Sequence, residues 1–313
     1  MTITERAGGG LILGGLPCID IAKTFDCGQC FRFDPIDPPD GYAAAVRGVF
    51  DGRLLTFLQE EGVTDSLTVY GCDAGYAERV LPVFLGLDFD YDAAAADIFA
   101  NVDAALGYED GTIRRSAEAG CGIRILRQDP WETLISFIIS ANNNIPRIKK
   151  IIRDLCAAYG EPIYTDADGI PGNNARGDAN TAPAYSFPAP EALRAAGIGG
   201  LAALKTGFRA KYIYDAACRV CGGELDLEAA AGLPTHELLS ALQSVKGVGP
   251  KVASCIALFA YGRTDAFPVD VWIKRVLAKY YPEHICGASF GCHAGIAQQW
   301  LFYRERYING GEK

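Results

Sequence analysis

The sequence predicts an α+β protein, with an N-terminal antiparallel β-sheet domain over residues 1–105 and an all-α domain over residues 106–313. Three observations predict it. Gly, Pro and Asp cut residues 11–90 into segments of strand length. After Asp92 the apolar residues recur at helical spacing. The charge divides at the same place: residues 1–105 hold 6 Lys and Arg against 17 Asp and Glu, a net of −11, whereas residues 106–313 hold 23 against 21, a net of +2.

Taken in order, "FRFDPIDPPDGYAAAVRGVFDGRLLTFLQEEGVTDSLTVYG" reads as strands joined by turns at Pro39-Asp40-Gly41 and Asp51-Gly52. The acidic excess predicts a sheet with one wet, acidic face. "DPWETLISFIISANNN" reads as a helix with Asp129 at the N-cap, Pro130 at the first helical position and an apolar stripe through Trp131, Leu134, Ile135 and Ile138. Residues 161–190 read as a polar loop or insertion. Further helices are predicted near 190–196, 209–221, 235–243, 250–261, 269–281 and 293–307.

"HELLSALQSVKGVGPKVASCIALFAYG" is a helix, a tight break and a second helix. Leu238, Leu239 and Leu242 line the first, and Val252, Ile256 and Phe259 continue on the second. Val248 points inward between Gly247 and Gly249, and two glycines before a helix N-terminus let a phosphate approach the backbone N–H groups. Lys246 adds a cation beside them. Downstream, "GRTDAFPVD" ends on Asp270, which by itself reads as an N-cap. Lysine is a nucleophile only when neutral, and at its reference pKa roughly 1 in 2,500 is neutral at pH 7. Desolvation in an apolar pocket, or a nearby cationic group, would raise that fraction, and a carboxylate beside such an amine can stabilise positive charge developing on a substrate.

The hairpin pattern resembles the helix-hairpin-helix motif of DNA-binding proteins, and the Lys251/Asp270 pair resembles that of the helix-hairpin-helix glycosylases. "CGQCFRF", "SANNNIPRI", "GFRAKY" and "HAGIAQQWLF", in this order with the hairpin, make nearly the whole chain similar to the 8-oxoguanine DNA glycosylase family. The resemblance implies a TATA-binding-protein-like sheet domain before the helical glycosylase domain. It implies excision of 8-oxoguanine opposite cytosine by base flipping, attack of the lysine, a Schiff base and β-elimination.

The same resemblance implies residue roles. The Gly28 carbonyl reads N7–H, Phe302 and Cys255 sandwich the flipped base, and Gln298 bonds its Watson–Crick edge. Asn142, Arg147 and Arg209 face the estranged cytosine, Phe208 is the aromatic wedge, and Lys246, Gly247 and Gly249 meet the DNA backbone. No cofactor or metal is expected, although the carbonyls of Gln243, Val245 and Val248 suit a monovalent cation. Three positions depart from the pattern: Lys246 replaces a proline, Trp272 a histidine and Phe208 a tyrosine.

Composition bounds the rest. At 50% hydrophobic and 21% charged residues the chain reads as globular. No run approaches a membrane span. "MTITERAGGG" lacks a secretory pattern, so a cytoplasmic monomer is expected, nucleoid-associated in a bacterium. Eleven cysteines then read as reduced thiols, and the spacings Cys27/Cys30 and Cys218/Cys221 as chance pairs. The net charge of −9 keeps other readings open: the same scaffold acting on another damaged base, a non-catalytic helix-hairpin-helix DNA binder, or a protein-interaction domain.

Overall fold

The structure is a computed structural model that describes residues 1–6, 9–164 and 183–310. Its sheet contains β1 (Thr2–Glu5), β2 (Leu11–Gly14), β3 (Phe33–Pro35), β4 (Ala44–Phe50), β5 (Arg53–Gln59) and β6 (Ser66–Tyr70). The spatial order is β1-β2-β6-β5-β4-β3, antiparallel throughout. Asp51 and Gly52 close the β4–β5 hairpin with φ of 50° and 68°, the twist a two-residue turn requires.

Two expectations for this region change. Short helices interrupt the strand pattern: α1 (Ile21–Phe25), α2 (Ala74–Arg79) and α3 (Leu81–Phe84). The sheet also has no uniformly wet face. Residues 55–59 of β5 and 67–70 of β6 are buried in succession. One face packs Leu13, Phe33, Leu55, Phe57 and Val69 against α1 and α3. The other is covered by Ala45, Leu58 and Tyr70 with Ile36 and Tyr42. Arg6 holds the Tyr70 hydroxyl there at 2.7 Å. The acidic residues Asp37, Asp40, Asp51, Glu60, Glu61 and Asp65 are exposed outside the strands instead.

Helices follow: α4 (Tyr91–Leu106), α5 (Gly111–Ala119), α6 (Pro130–Ser140), α7 (Ile145–Tyr159), α8 (Pro190–Ala203), α9 (Ala210–Cys221), α10 (Thr235–Gln243), α11 (Pro250–Phe259), α12 (Val271–Tyr280) and α13 (Ala294–Tyr303). Side-chain caps start five of them: Asp90, Asp110, Asp129, Asn144 and Asp270 each accept a first-turn N–H. Strands β7 (Pro162–Ile163) and β8 (Ala184–Tyr185) pair across the base of the predicted insertion. Residues 165–182 of that insertion lie outside the described residues.

Each part has its own core, and α4, although it precedes residue 106, packs Ala94, Ile98 and Val102 into the helical one. The seam between them is an extended strip. The N–H of Arg127 bonds the Phe84 carbonyl on the sheet side, and that of Gln128 bonds the Phe259 carbonyl at the end of α11. Arg32 is a second staple, donating to Glu132 Oε2 at 3.4 Å, Cys156 Sγ at 3.2 Å and the Tyr185 carbonyl at 2.6 Å.

Burial pushes the Glu132 carboxyl up from 4.5 to about 7, with Arg32 acting against it and Asp129 adding to it. Since the folded-state value is raised, folding retains a proton that the unfolded chain releases above pH 4.5. Stability from this group is lost as pH rises toward 7. Glu132→Gln removes the titration at constant shape. Melting temperatures from about pH 5 to about 7.5 should fall less steeply in the variant than in the wild type.

Candidate active site

A cavity of about 180 Å³ opens where the Cys27–Phe31 turn meets α6, α11, the start of α12 and α13. Six sequence-predicted residues line it together: Gly28, Lys251, Cys255, Asp270, Gln298 and Phe302. They come from four separate stretches of chain.

The hairpin places the lysine. Gly247 has φ of +88°, and a Cβ there would sit 2.5 Å from a Tyr212 ring carbon, so both the turn and the packing require glycine. Gly249 differs from the expected turn glycine. Its φ of −89° and ψ of 178° suit any residue, and a Cβ would meet nothing within 4 Å. It caps α11 without a side chain, so first-turn N–H groups remain open to an anion. Val248 is buried as predicted, and its N–H bonds the Val245 carbonyl at 3.1 Å, which leaves that carbonyl one lone pair for a cation. Lys246 is already partnered: its ammonium lies 3.0 Å from Asp215 Oδ1.

Lys251 extends from the first turn of α11, its ammonium 5.3 Å from the centroid of the Phe137 ring. Asp270 is a cap, as its sequence context predicts. Oδ1 accepts the N–H groups of Trp272 at 3.0 Å and Ile273 at 2.9 Å, and Oδ2 takes no part in the capping. Among the described residues no ion pair joins it to Lys251. Burial pushes the Cys255 thiol up, Lys251 acts against this, and Asp270 adds to it. Trp272 also lines the cavity and carries the Arg275 guanidinium 4.9 Å over its ring.

On the opposite wall, Gly28 has φ of +78°, and its missing Cβ would lie 3.5 Å from the Phe302 ring. The residue that immobilises this turn is Gln29, which has no exposed surface. Its Nε2 donates to the carbonyls of Thr24 and Arg124, both at 2.8 Å, and its Oε1 accepts the Leu126 N–H at 2.9 Å. Gln128 Nε2 holds the Gln29 carbonyl at 2.7 Å. The Tyr307 hydroxyl bonds the Asp26 carbonyl on the other side of the turn. Gln298 is buried with its Oε1 unpartnered, and Gln299, which the sequence did not single out, is in the same condition. A buried amide oxygen without a donor costs about 1–3 kcal/mol, so two at one cavity mark a place built for a hydrogen-bonding guest.

The remaining predicted residues gather beside the cavity, on the α6–α7 turn, the first turn of α7 and the short turn Gly207–Arg209. Asn142, with φ of +51°, and Arg147 are exposed, and the Phe208 ring is 50% exposed. Arg209 departs from its expected role facing a base. It is buried, and its guanidinium donates to the carbonyls of Ala141, Asn142 and Thr206. Four of its five N–H groups are spent on backbone, bracing the turn that carries Asn142. Burial first, and Arg147 second, pull its pKa down.

Comparison with known proteins matches this geometry. The profile of the 8-oxoguanine DNA glycosylase N-terminal domain matches residues 17–134, and that of the HhH-GPD superfamily base excision DNA repair proteins matches residues 135–284. An N-glycosylase/DNA lyase of Saccharomyces cerevisiae is 36% identical over 83% of this chain and 68% of its own. A solved structure of MBOgg1 with a low-affinity DNA ligand superposes with a TM-score of 0.83 at 33% identity, covering 98% of this chain and 99% of that one. The Clostridium acetobutylicum 8-oxoguanine glycosylase/lyase, solved with double-stranded DNA containing cytosine opposite 8-oxoG, gives 0.81 at 30% identity, with 99% of each chain covered.

Gln29→Leu keeps the volume of the anchor and strands two carbonyls and an N–H in the interior. Urea unfolding should show a loss of about 2–4 kcal/mol. A loss below about 0.5 kcal/mol would mean that the turn is held by its other bonds.

Proposed function

The chain belongs to the 8-oxoguanine DNA glycosylase family of helix-hairpin-helix enzymes, and from that premise we propose that it excises 8-oxoguanine opposite cytosine from duplex DNA and cuts the strand at the site it leaves. One observation carries the reading. Lys251 and Asp270 open on the same small cavity as Gly28, Gln298 and Phe302, and they do so without pairing to each other.

The Lys251 nitrogen attacks C1′ of the flipped nucleoside, and the C1′–N9 bond breaks with its electron pair leaving on the base. Ring opening of the sugar gives a protonated Schiff base at C1′. Loss of a C2′ proton then expels the 3′ phosphate oxygen by β-elimination. The free oxygen of Asp270 faces the positive charge that develops at the sugar, while its other oxygen stays fixed on the helix start. The α11 N–H groups and the open space over Gly249 take a backbone phosphate. Phe208 fills the space of the extruded base, and Asn142 and Arg147 meet the orphaned cytosine. Arg209 serves them from behind as a brace. With Trp272 in place of a histidine, Arg275, 4.9 Å over its ring, is a cation placed at that position for a phosphate.

Lys251→Gln and Asp270→Asn test the chemistry together on an 8-oxoguanine:cytosine duplex. Lys251→Gln should lose excision and borohydride trapping while still binding the duplex. Asp270→Asn should keep the melting temperature, since asparagine caps about as well, and slow single-turnover excision about 100-fold or more. Trapping that survives in Lys251→Gln assigns the attack to another amine, and normal cutting by Asp270→Asn leaves that residue a cap alone.

Gly28→Ala tests the base reader. The methyl group fits beside Phe302, so the cost is the left-handed backbone, about 1–2 kcal/mol. Excision of 8-oxoguanine should fall about 10-fold or more, with cleavage at a preformed abasic site within about 2-fold of wild type. Equal losses on both substrates would mean the turn supports the fold and reads nothing.

A further inference from the structure

Away from the cavity, where α4 meets the entry to α13, three metal-ligating side chains converge. Asp97 lies on α4, and Cys292 and His293 immediately precede α13. One ligand atom from each lies within 4.8 Å of the other two. The structure assigns to them a site for one divalent ion of the zinc class.

Three features carry the assignment. The Cys292 Sγ is 3.6 Å from Asp97 Oδ2. Ligand distances of about 2.3 Å to sulfur and about 2.0 Å to oxygen place tetrahedral donors about 3.5 Å apart, so an ion fits between these two with little movement. The imidazole has an outer hydrogen-bond partner, as metal-bound histidines do. Thr264 Oγ1 gives its only hydrogen to the Cys292 carbonyl at 3.0 Å, so at 3.2 Å it can only accept from His293 Nδ1. With that arrangement Nδ1 is the nitrogen turned to Thr264, the outer partner that orients the ring, and Nε2 is the one that would be offered to a metal. The backbone also makes room: Gly291 has φ of +74°, and a Cβ there would lie 2.9 Å from Asp97 Oδ2.

The donor set selects the metal. A thiolate with an imidazole and one carboxylate suits zinc or cobalt(II), whereas magnesium and calcium take oxygen donors. Three protein ligands leave a fourth position to water, and binding releases the Cys292 thiol proton to solvent. The site uses neither of the cysteine pairs that the sequence spacing suggests. Bound metal would tie α4 to the beginning of the helix that carries Gln298 and Phe302.

The test is cobalt(II) titration of the reduced, chelator-treated protein. It should show a thiolate-to-cobalt charge-transfer band that saturates at one equivalent and is displaced by zinc. Cys292→Ser should abolish the band and Asp97→Asn weaken binding, while Thr264→Val, which removes the outer partner of His293 together with the bond to the Cys292 carbonyl, should weaken it about 10- to 100-fold. Double variants of two other thiol pairs, Cys18→Ser/Cys121→Ser, whose sulfurs lie 3.7 Å apart, and Cys218→Ser/Cys221→Ser, should bind like wild type. Melting in chelator controls for folding, and Cys292→Ser should match wild type there because the residue is exposed. No band in the wild type, a band that persists in Cys292→Ser, or one lost in either double variant would overturn the assignment.

Discussion

The amide of Gln29 reaches from the sheet domain into the strip that joins the two cores and satisfies both at once, through Thr24 on one side and Arg124 and Leu126 on the other. The neighbouring Thr24 hydroxyl bonds the Gly122 carbonyl at 3.2 Å and accepts the Arg124 N–H at 3.1 Å. Gly28 is carried on this knot, and so is the wall of the cavity opposite Lys251. The distance between Gly28 and Lys251 across the cavity is therefore set by buried hydrogen bonds. Such bonds tolerate little slack, because each lost partner leaves a polar group in the interior.

The legible parts of this protein were those with local causes. The helix from Pro130 declares its cap, its proline and its stripe within ten residues, and the hairpin declares itself through glycines and flanking leucines. The cavity residues were legible only as a set, through the order of several short segments. What stayed hidden depends on contacts between distant residues. Gln29 looks like any turn glutamine until Arg124 and Leu126 arrive beside it. Arg209 reads, through the resemblance, as a contact to the estranged cytosine, yet the carbonyls of the α6–α7 turn claim most of its N–H groups. The covered second face of the sheet depends on where Arg6 and Tyr42 fold back, which no alternation pattern within the strands records.

Charge is arranged to match this division. Most exposed carboxylates of the sheet domain sit outside its strands, and the cations at the cavity, Lys251 and Arg306 in its lining and Arg275 over the Trp272 ring, belong to the helical domain. A chain that is acidic as a whole can thus present a locally basic edge, and within a Debye length of about 10 Å that edge is what a phosphate senses.

The Lys246–Asp215 pair has a thermodynamic consequence for that encounter. A lysine with no internal partner, on meeting DNA, expels roughly one condensed cation from the duplex, and the entropy of that release makes affinity fall with added salt. Lys246 arrives already partnered at 3.0 Å by Asp215, a carboxylate that Arg219 also holds at 3.0 Å. Engaging a phosphate there trades one carboxylate for one phosphate, with little net change in the ion atmosphere. The hairpin would then grip the backbone chiefly through neutral N–H dipoles. The salt dependence contributed by this one lysine should therefore be shallower than that of an unpaired lysine.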